Sequence, residues 1–525
     1  KAMGIDGVYL HGHEGYLLDQ LTNPAFNRRR IGKYADWQRF GIELVKTIRK
    51  RVGPAYPIMY RIDLSLALEE TYGHRMDTVK TLSKFKNGRS LADTLHYMEN
   101  LVKAGVDIFD VDMGCYDNWW LPHPPSGMPA GCFLELSKVA KEYFAARNIR
   151  SNAGLAVPIV AVGKLGYPDL AEKALRDGMA DMIMLGRPLL ADPDWCSKAY
   201  SGRVEEIRPC IGCQQACVNE FVEGGHPQCA VNPRTGFEDV LPAALTKAER
   251  SKRIAVVGGG CAGMNFSLVA AQRGHKIDLF EKSDRLGGKL HAAGAPVSKY
   301  ELKNYGDSLI VQVKKEKGIT VHLNTQADNR MLKRGGYDAV VFANGGKESE
   351  AQIPGLETTR HLDASYLLTH PQELSDGDHR VIVVGGGSVG LETAYWLAAE
   401  KGRQVTCVEM REHFDLGACT ANRGHLIHYF EENGGILINC ARVLRAENGQ
   451  VIVSRNRAKT VPDPYCTWTP VLPENIVNPL APRMTEQAYI EAFPADLIVM
   501  AAGTRGDDGL FLSAQENQVA PELYC

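Results

Sequence analysis

Four cysteines carry the most specific chemistry in this chain. The stretch CIGCQQACVNEFVEGGHPQC places Cys210, Cys213, Cys217 and Cys229 in the spacing C-x2-C-x3-C-x11-C. Three sulfurs on one tight loop, with a fourth returned by the Gly-Gly-His-Pro turn at 224–227, can converge as thiolates on a common centre. Such a set suits a tetrahedral zinc ion or a [4Fe–4S] cluster, and spacing alone does not choose between them. Two glycine loops follow. In RIAVVGGGCAGMNFSLVAAQRGHKIDLFEK a buried strand runs into Gly258-x-Gly260-x-x-Gly263, then a helix, then a strand ending at Glu281, 18 residues past Gly263. The first two glycines allow the tight turn and close approach to a pyrophosphate, the third allows helix against strand, and the acid is placed to accept ribose hydroxyls. The pattern recurs as Gly385-x-Gly387-x-x-Gly390 with Glu409 closing its second strand. An acidic Glu409 favours NADH and repels the 2′-phosphate of NADPH, while Arg411 softens that preference.

The elements that must position these groups are legible from period and composition. Residues 1 to about 200 alternate short apolar strands (7–11, 58–63, 108–113, 158–163 and 181–186) with amphipathic helices such as 35–51, 91–104 and 133–146. Strand–helix–strand repetition predicts a parallel sheet with right-handed crossovers that can close into a barrel. Five units are present where such a barrel has eight, and the chain opens in mid-helix. The expectation is that about 130–160 residues, three further units, precede it. The predicted fold class is thus α/β: a (βα)8 TIM barrel lacking its first strands, a four-cysteine segment, and two nested Rossmann-like domains. The expected boundaries are 1–200 for the barrel, 201–250 for the cysteine segment and linker, and 251–375 for the first dinucleotide-binding domain. Residues 376–490 are expected to form the second dinucleotide-binding domain, and 491–525 to return to the first.

HGHEGYLLDQLTNPAFNRR (11–29) resembles the fourth-strand signature of the old yellow enzyme family. By position His11 and Glu14 match the pair that grips a substrate carbonyl there, and Tyr16 matches the tyrosine. Glutamate in the second place is similar to the bacterial 2,4-dienoyl-CoA reductases. The resemblance implies that Arg61 lies against the N1/O2 edge of the flavin, where a fixed cation stabilises the anionic reduced ring. Tyr116 stands where those reductases carry a proton-donating histidine. The loop 117–125 holds Trp119 and Trp120, which either wall the pocket or pack in the core. AVGKLG (161–166) and LGRPLLADPDW (185–195) look like the FMN-phosphate site, with Gly163, Lys164, Gly186 and Arg187 as its residues. RLGGK (285–289), with Arg285 and Gly288, follows the first glycine loop as in two-dinucleotide-domain flavoproteins, implying FAD. The nested second loop resembles the NAD(P)H site of glutathione-reductase-like proteins. YDAVVFANGG (337–346) and ADLIVMAAGTRG (495–506) read as the crossovers back to the FAD domain. A final flavin-contacting Gly-Asp is expected just past Cys525. Between two flavin-binding flanks a one-electron carrier makes chemical sense, which favours the cluster over zinc.

The motifs occur in the order of the multi-centre old yellow enzyme group: 2,4-dienoyl-CoA reductases, 2-enoate reductases and trimethylamine dehydrogenase. The resemblance implies an NADH-dependent reductase of an activated C=C bond in an enoate, enone or enoyl thioester, with Tyr16 or Tyr116 as proton donor. Electrons would run from NADH to FAD, cluster, FMN and substrate. An amine dehydrogenase with an aromatic cage for an alkylammonium group is the alternative, and a redox-inactive scaffold a third. The segment 64–90 would shape the substrate pocket. Hydrophobic residues at 44%, charged residues at 23% and a net charge of −2 are ordinary for a globular cytoplasmic protein and give no reason to expect nucleic acid or an anionic membrane as partner. A homo-oligomer and an oxygen-poor habitat are compatible with these features.

Overall fold

The computed structural model describes residues 3–73, 75–78, 80–241, 245–349, 351–467 and 483–525. Two compact units emerge, Lys1–Leu189 and Leu190–Cys525.

The first unit is built on a five-stranded parallel sheet: β1 (Val8–Gly12), β2 (Ile58–Ser65), β3 (Ile108–Met113), β4 (Ile159–Ala161) and β5 (Met182–Ile183), in that order. Each strand pairs with the next in sequence across a helical crossover, as barrel topology requires. The helices bury their apolar stripes on the sheet. Val45 of helix Arg39–Val52 and Leu95, Met98, Leu101 and Val102 of helix Leu91–Ala104 join Ile58, Tyr60, Ile62 and Phe109 in one core. The second of these helices starts on a capping box, in which Asp93 N–H donates to Ser90 Oγ and Ser90 N–H to Asp93 Oδ2. The expected helix over 35–51 begins only at Arg39, because Lys33–Ala35 forms a 3-10 turn and Asp36 accepts the Gln38 N–H at 3.0 Å. Strands β4 and β5 are shorter than expected, since Gly163 (φ +106°) and the Gly186–Arg187 turn into a helix end the extended runs. In segment 64–90, residues 74 and 79 lie outside the described set; Leu68, Met76, Leu82 and Phe85 bury against Ala25 and Cys115.

The second unit holds two five-stranded parallel sheets of dinucleotide-binding type. One contains Arg253–Val257, Lys276–Phe280, Ile319–His322, Ala339–Phe342 and Glu522–Tyr524; the other contains Arg380–Val384, Gln404–Val408, Ile436–Ile438, Leu497–Met500 and His361–Asp363. Both sets of central strands are near-continuous apolar runs, as strands buried on two faces must be. An antiparallel pair, Gly346–Glu348 with Thr504–Gly506, joins the C-terminal ends of the two predicted crossovers. A three-stranded antiparallel meander, Ala441–Glu447, Gln450–Asn456 and Ala488–Pro494, completes the second module. Residues 468–482 of the expected NAD(P)H domain lie outside the described set. Among the described residues no helix is long and apolar enough to cross a membrane.

Candidate active site and cofactor sites

Beyond β1 the chain turns sharply. Glu14 adopts a left-handed φ of +66° and pairs as a parallel bridge with Cys115, just beyond β3. A non-glycine residue held there is costly, and such conformations cluster at functional sites. The turn brings the two predicted tyrosines together: Tyr16 meets Tyr116 edge to face with ring centres 5.5 Å apart, and His11 stands 5.1 Å from Tyr16. Tyr116 in turn stacks on Trp119 at 4.6 Å and 5°. Trp120 is 1% exposed, its ring centre 6.4 Å from that of Tyr72. The Glu14 carboxylate lies 3.5 Å from His13 Nε2 and 3.7 Å from His123 Nε2. Burial works against its ionisation, but His123, His13 and Arg61 outweigh that and hold its pKa below the ordinary value. Burial, and then the Tyr16 hydroxyl, push the Tyr116 pKa well above that of a free phenol, so its proton is retained through the physiological range.

Beneath these groups lies a charge network that the sequence reading did not anticipate. His13 is fully buried, with Nδ1 bonded to Asp63 and Nε2 3.2 Å from Asp112. Arg61 binds the same Asp112 and lies 3.4 Å from Asp110, while Arg89 reaches Asp19 at 2.9 Å and Asp63 at 3.6 Å. Burial, with Asp112 alongside, pushes Asp110 up to about 6 against the pull of Arg61. The signal was present in the sequence: carboxylates inside apolar strands, YRIDLS and IFDVDM, are expensive unless paired. Burial alone would keep His13 neutral; Asp63 and Asp112 reverse that and raise its pKa. His13 therefore contributes stability that is fully present below an ordinary histidine pKa of about 6.5 and lost as pH rises through the raised, folded-state value. His13→Gln removes the cation that Asp63 and Asp112 share, leaving them to Arg89 and Arg61, and is expected to cost up to about 3–5 kcal/mol. Urea unfolding followed across pH checks this: the gap between wild type and variant should narrow as pH rises.

Lys164 and Arg187, expected at a flavin phosphate, both hold the 124–128 loop. Lys164 Nζ donates to the carbonyls of Pro125 (2.8 Å) and Met128 (2.6 Å), and Arg187 Nη2 donates to Pro124 O at 2.9 Å. Gly163 has no room for a side chain, since a Cβ would sit 2.7 Å from Phe133, whereas Gly186 faces open space.

Both dinucleotide loops have the geometry their spacing predicts. A Cβ on Gly263 would lie 1.9 Å from Gly258 O, and one on Gly390 would lie 1.8 Å from Gly385 O; Gly260 and Gly387 have nothing within 4 Å. Glu281 Oε2 accepts the Gly259 N–H at 2.8 Å, and Glu409 Oε2 accepts the Gly386 N–H at 2.6 Å, so each acid braces its own loop. Arg285 and Gly288 lie on the turn that folds back over the first loop, where Gly287 N–H donates to Gly259 O at 2.9 Å. The second loop, with Glu409, Arg411 and Asp415, lines a cavity of about 500 Å³.

The cysteine segment follows a path suited to converging thiolates. Gly212 (φ +60°) and Gln214 (φ +58°) turn left-handed corners, Cys210 Sγ accepts the Gly212 N–H at 3.5 Å, and Gln228 N–H donates to Ala216 O at 2.5 Å. Cys210 and Cys229 pack against the same core as the first dinucleotide sheet. Among the described residues no three His, Cys, Asp or Glu side chains stand as a ready metal-binding set. Cys210, Cys213, Cys217 and Cys229 are the side chains that would have to gather around a bound group.

Residues 1–206 match the NADH:flavin oxidoreductase / NADH oxidase family, and residues 252–520 match the pyridine nucleotide-disulphide oxidoreductase family. Over 444 residues the chain is 34% identical to the cinnamate reductase of Clostridium sporogenes, covering 82% of this chain and 63% of that protein. It is 30% identical to the bilirubin reductase of Mediterraneibacter gnavus, covering 86% of this chain and 67% of the other. A solved 2-naphthoyl-CoA reductase in complex with 2-naphthoyl-CoA superposes with a TM-score of 0.81 at 25% identity, over 100% of this chain and 70% of that one. The chain thus spans less than two thirds of the length of the cinnamate reductase it matches.

Proposed function

This chain belongs to the flavin oxidoreductases that join an NADH:flavin oxidoreductase barrel to a pyridine nucleotide-disulphide oxidoreductase module, the 2,4-dienoyl-CoA and 2-enoate reductase group, and on that premise we propose that it reduces an activated C=C bond at the expense of NADH. The relatives named for cinnamate and 2-naphthoyl-CoA reduction support an α,β-unsaturated aryl acid or its thioester as the substrate class. When bound, NADH and FAD would supply hydride chemistry, a [4Fe–4S] group single-electron transfer, and FMN hydride delivery to the β-carbon. The chain's own residues would do the rest. His11 orients the carbonyl, the ionised Glu14 acts as an acceptor that positions the imidazoles beside it, and Tyr16 or Tyr116 gives the α-carbon its proton. Cys210, Cys213, Cys217 and Cys229 hold the cluster. The backbone amides at Gly258–Gly263 and Gly385–Gly390 take the two pyrophosphates.

The observation that carries the direction of electron flow is the second glycine loop with its own 500 Å³ cavity. The acid Glu409 beside that loop suits the ribose hydroxyls of NADH, a reductant that a dehydrogenase handing electrons to an external carrier does not use. Anaerobic titration of the full-length protein with NADH, followed by absorbance, tests the reading. Flavin and cluster bands should bleach together and return on adding cinnamate or an enoyl thioester. Bleaching by an alkylamine but not by NADH would overturn it, and a colourless zinc protein would remove the cluster.

A further inference from the structure

The segment that follows the second dinucleotide motif has two faces, and both are occupied. On one, Asp415 and Leu416 line the 500 Å³ nucleotide cavity. Asp415 N–H donates to Gly386 O at 2.7 Å, and the Ser388 hydroxyl donates to Asp415 Oδ1 at 2.5 Å, so this face is fastened directly to the glycine loop and to the first turn of its helix. Phe414, fully buried, fills the space that a side chain on Gly386 would need. On the other face the same segment grips the cysteine loop. Gln215 Nε2 donates to Gly417 O at 2.7 Å, Asn422 Nδ2 donates to Gly212 O at 3.3 Å, and the buried Cys419 thiol donates to the buried Gln214 Oε1 at 3.8 Å. Gly212, Gln214 and Gln215 all lie between Cys210 and Cys217. Arg423 Nε, bonded to Phe414 O at 2.8 Å, ties the start of the helix Thr420–Glu432 back to the nucleotide side.

We infer that Gln215 and Asn422 are positioning residues, through which the bracket at 413–422 couples nucleotide occupancy to the geometry of the cysteine loop. The inference rests on the reading of the second glycine loop as the NADH site. A nucleotide that packs against Asp415 and Leu416 restrains the bracket, and the bracket's hydrogen bonds pass that restraint to Gly212 and Gln215. Neither residue is one of the four cysteines or lines the nucleotide cavity, and Gln215 is exposed and Asn422 half-buried.

The test is amide hydrogen exchange of residues 211–217 in the anaerobic holoprotein, with and without saturating NAD+, alongside the NAD+ dissociation constant measured by calorimetry. Coupling between sites is commonly worth about 5–150-fold, so NAD+ should slow exchange in this loop at least about fivefold. In the Gln215→Ala/Asn422→Ala protein NAD+ should still bind, and the difference made by NAD+ should vanish. A merely structural role would raise exchange equally in both states and leave the difference in place, which would overturn the inference. Wild-type protein that binds NAD+ without protecting the loop would overturn it too, leaving the nucleotide site standing. Failure of NAD+ to bind the wild type would sink both.

Discussion

Gly390→Ala should abolish reduction by NADH while leaving the rest of the protein coloured and reducible. The added Cβ would lie 1.8 Å from Gly385 O and 2.9 Å from its carbonyl carbon, both backbone atoms that no rotamer change can clear. Gly385 is itself fastened to the sheet, its N–H donating to Val408 O at 2.9 Å. The helix Ser388–Ala399 must therefore lift from strand Arg380–Val384. Leu391, Ala394 and Leu397, each fully buried on that helix, move with it. A displacement of about 1 Å at a positioning element can cost about 100-fold in rate, so NADH-driven flavin reduction in stopped flow should fall at least that far. Dithionite should still bleach both flavins. Gly263→Ala is the mirror case: its Cβ would meet Gly258 O at 1.9 Å, and the expected outcome is protein purified without FAD. Gly387→Ala separates fold from ligand. Nothing lies within 4 Å of that Cβ and φ is an ordinary −72°, so the melting temperature should hold while the methyl occupies the space a pyrophosphate needs. A Gly390→Ala protein with normal NADH kinetics would mean that the second loop does not bind the nucleotide.

The elements that a single chain segment specifies were the ones legible in the sequence. Strand Ile108–Met113 and helix Leu91–Ala104 have their expected bounds, because a buried apolar run and a Ser-x-x-Asp cap are local signals. The glycine loops were legible for the same reason: the steric demands on Gly263 and Gly390 come from atoms five residues away. What the sequence did not yield is tertiary. His13 finds Asp63 fifty residues on and Asp112 beyond that, and nothing in HGHEGY marks the second histidine as the buried one. The meander over 441–494 was not separated from the parallel sheet, since its strands carry the same β-branched residues. The grip of Gln215 on Gly417 spans 202 residues and has no motif at all. Lys164 and Arg187 show a further tertiary feature: beside the anion site their composition suggests, both bond carbonyls of the 124–128 loop, which no local pattern marks.

Replacing both tyrosines of the barrel site should stop protonation of the product without touching the reductive half of the cycle. Tyr16 and Tyr116 stand edge to face at 5.5 Å, so one hydroxyl can take over when the other is lost. Single Tyr16→Phe or Tyr116→Phe proteins should therefore keep part of their rate, and the double variant should lose the full contribution of a placed general acid, about 100- to 10,000-fold. The readout is reoxidation of the prereduced enzyme by a 2-enoate, with NADH-driven reduction as the internal control, unchanged in all three. Tyr116 also sets the pH dependence. Burial and the Tyr16 hydroxyl both raise its pKa above that of a free phenol, so the donor stays protonated and the reoxidation rate should be flat from about pH 6 to 9. Glu14 bears on the same profile from the acid side. Its pKa is held low despite burial, so the carboxylate stays charged and its contribution should fade only below the ordinary value of about 4.3. Full turnover in the double variant would move the proton to another donor, and His11, 5.1 Å from the Tyr16 ring, is the group that would then have to supply it.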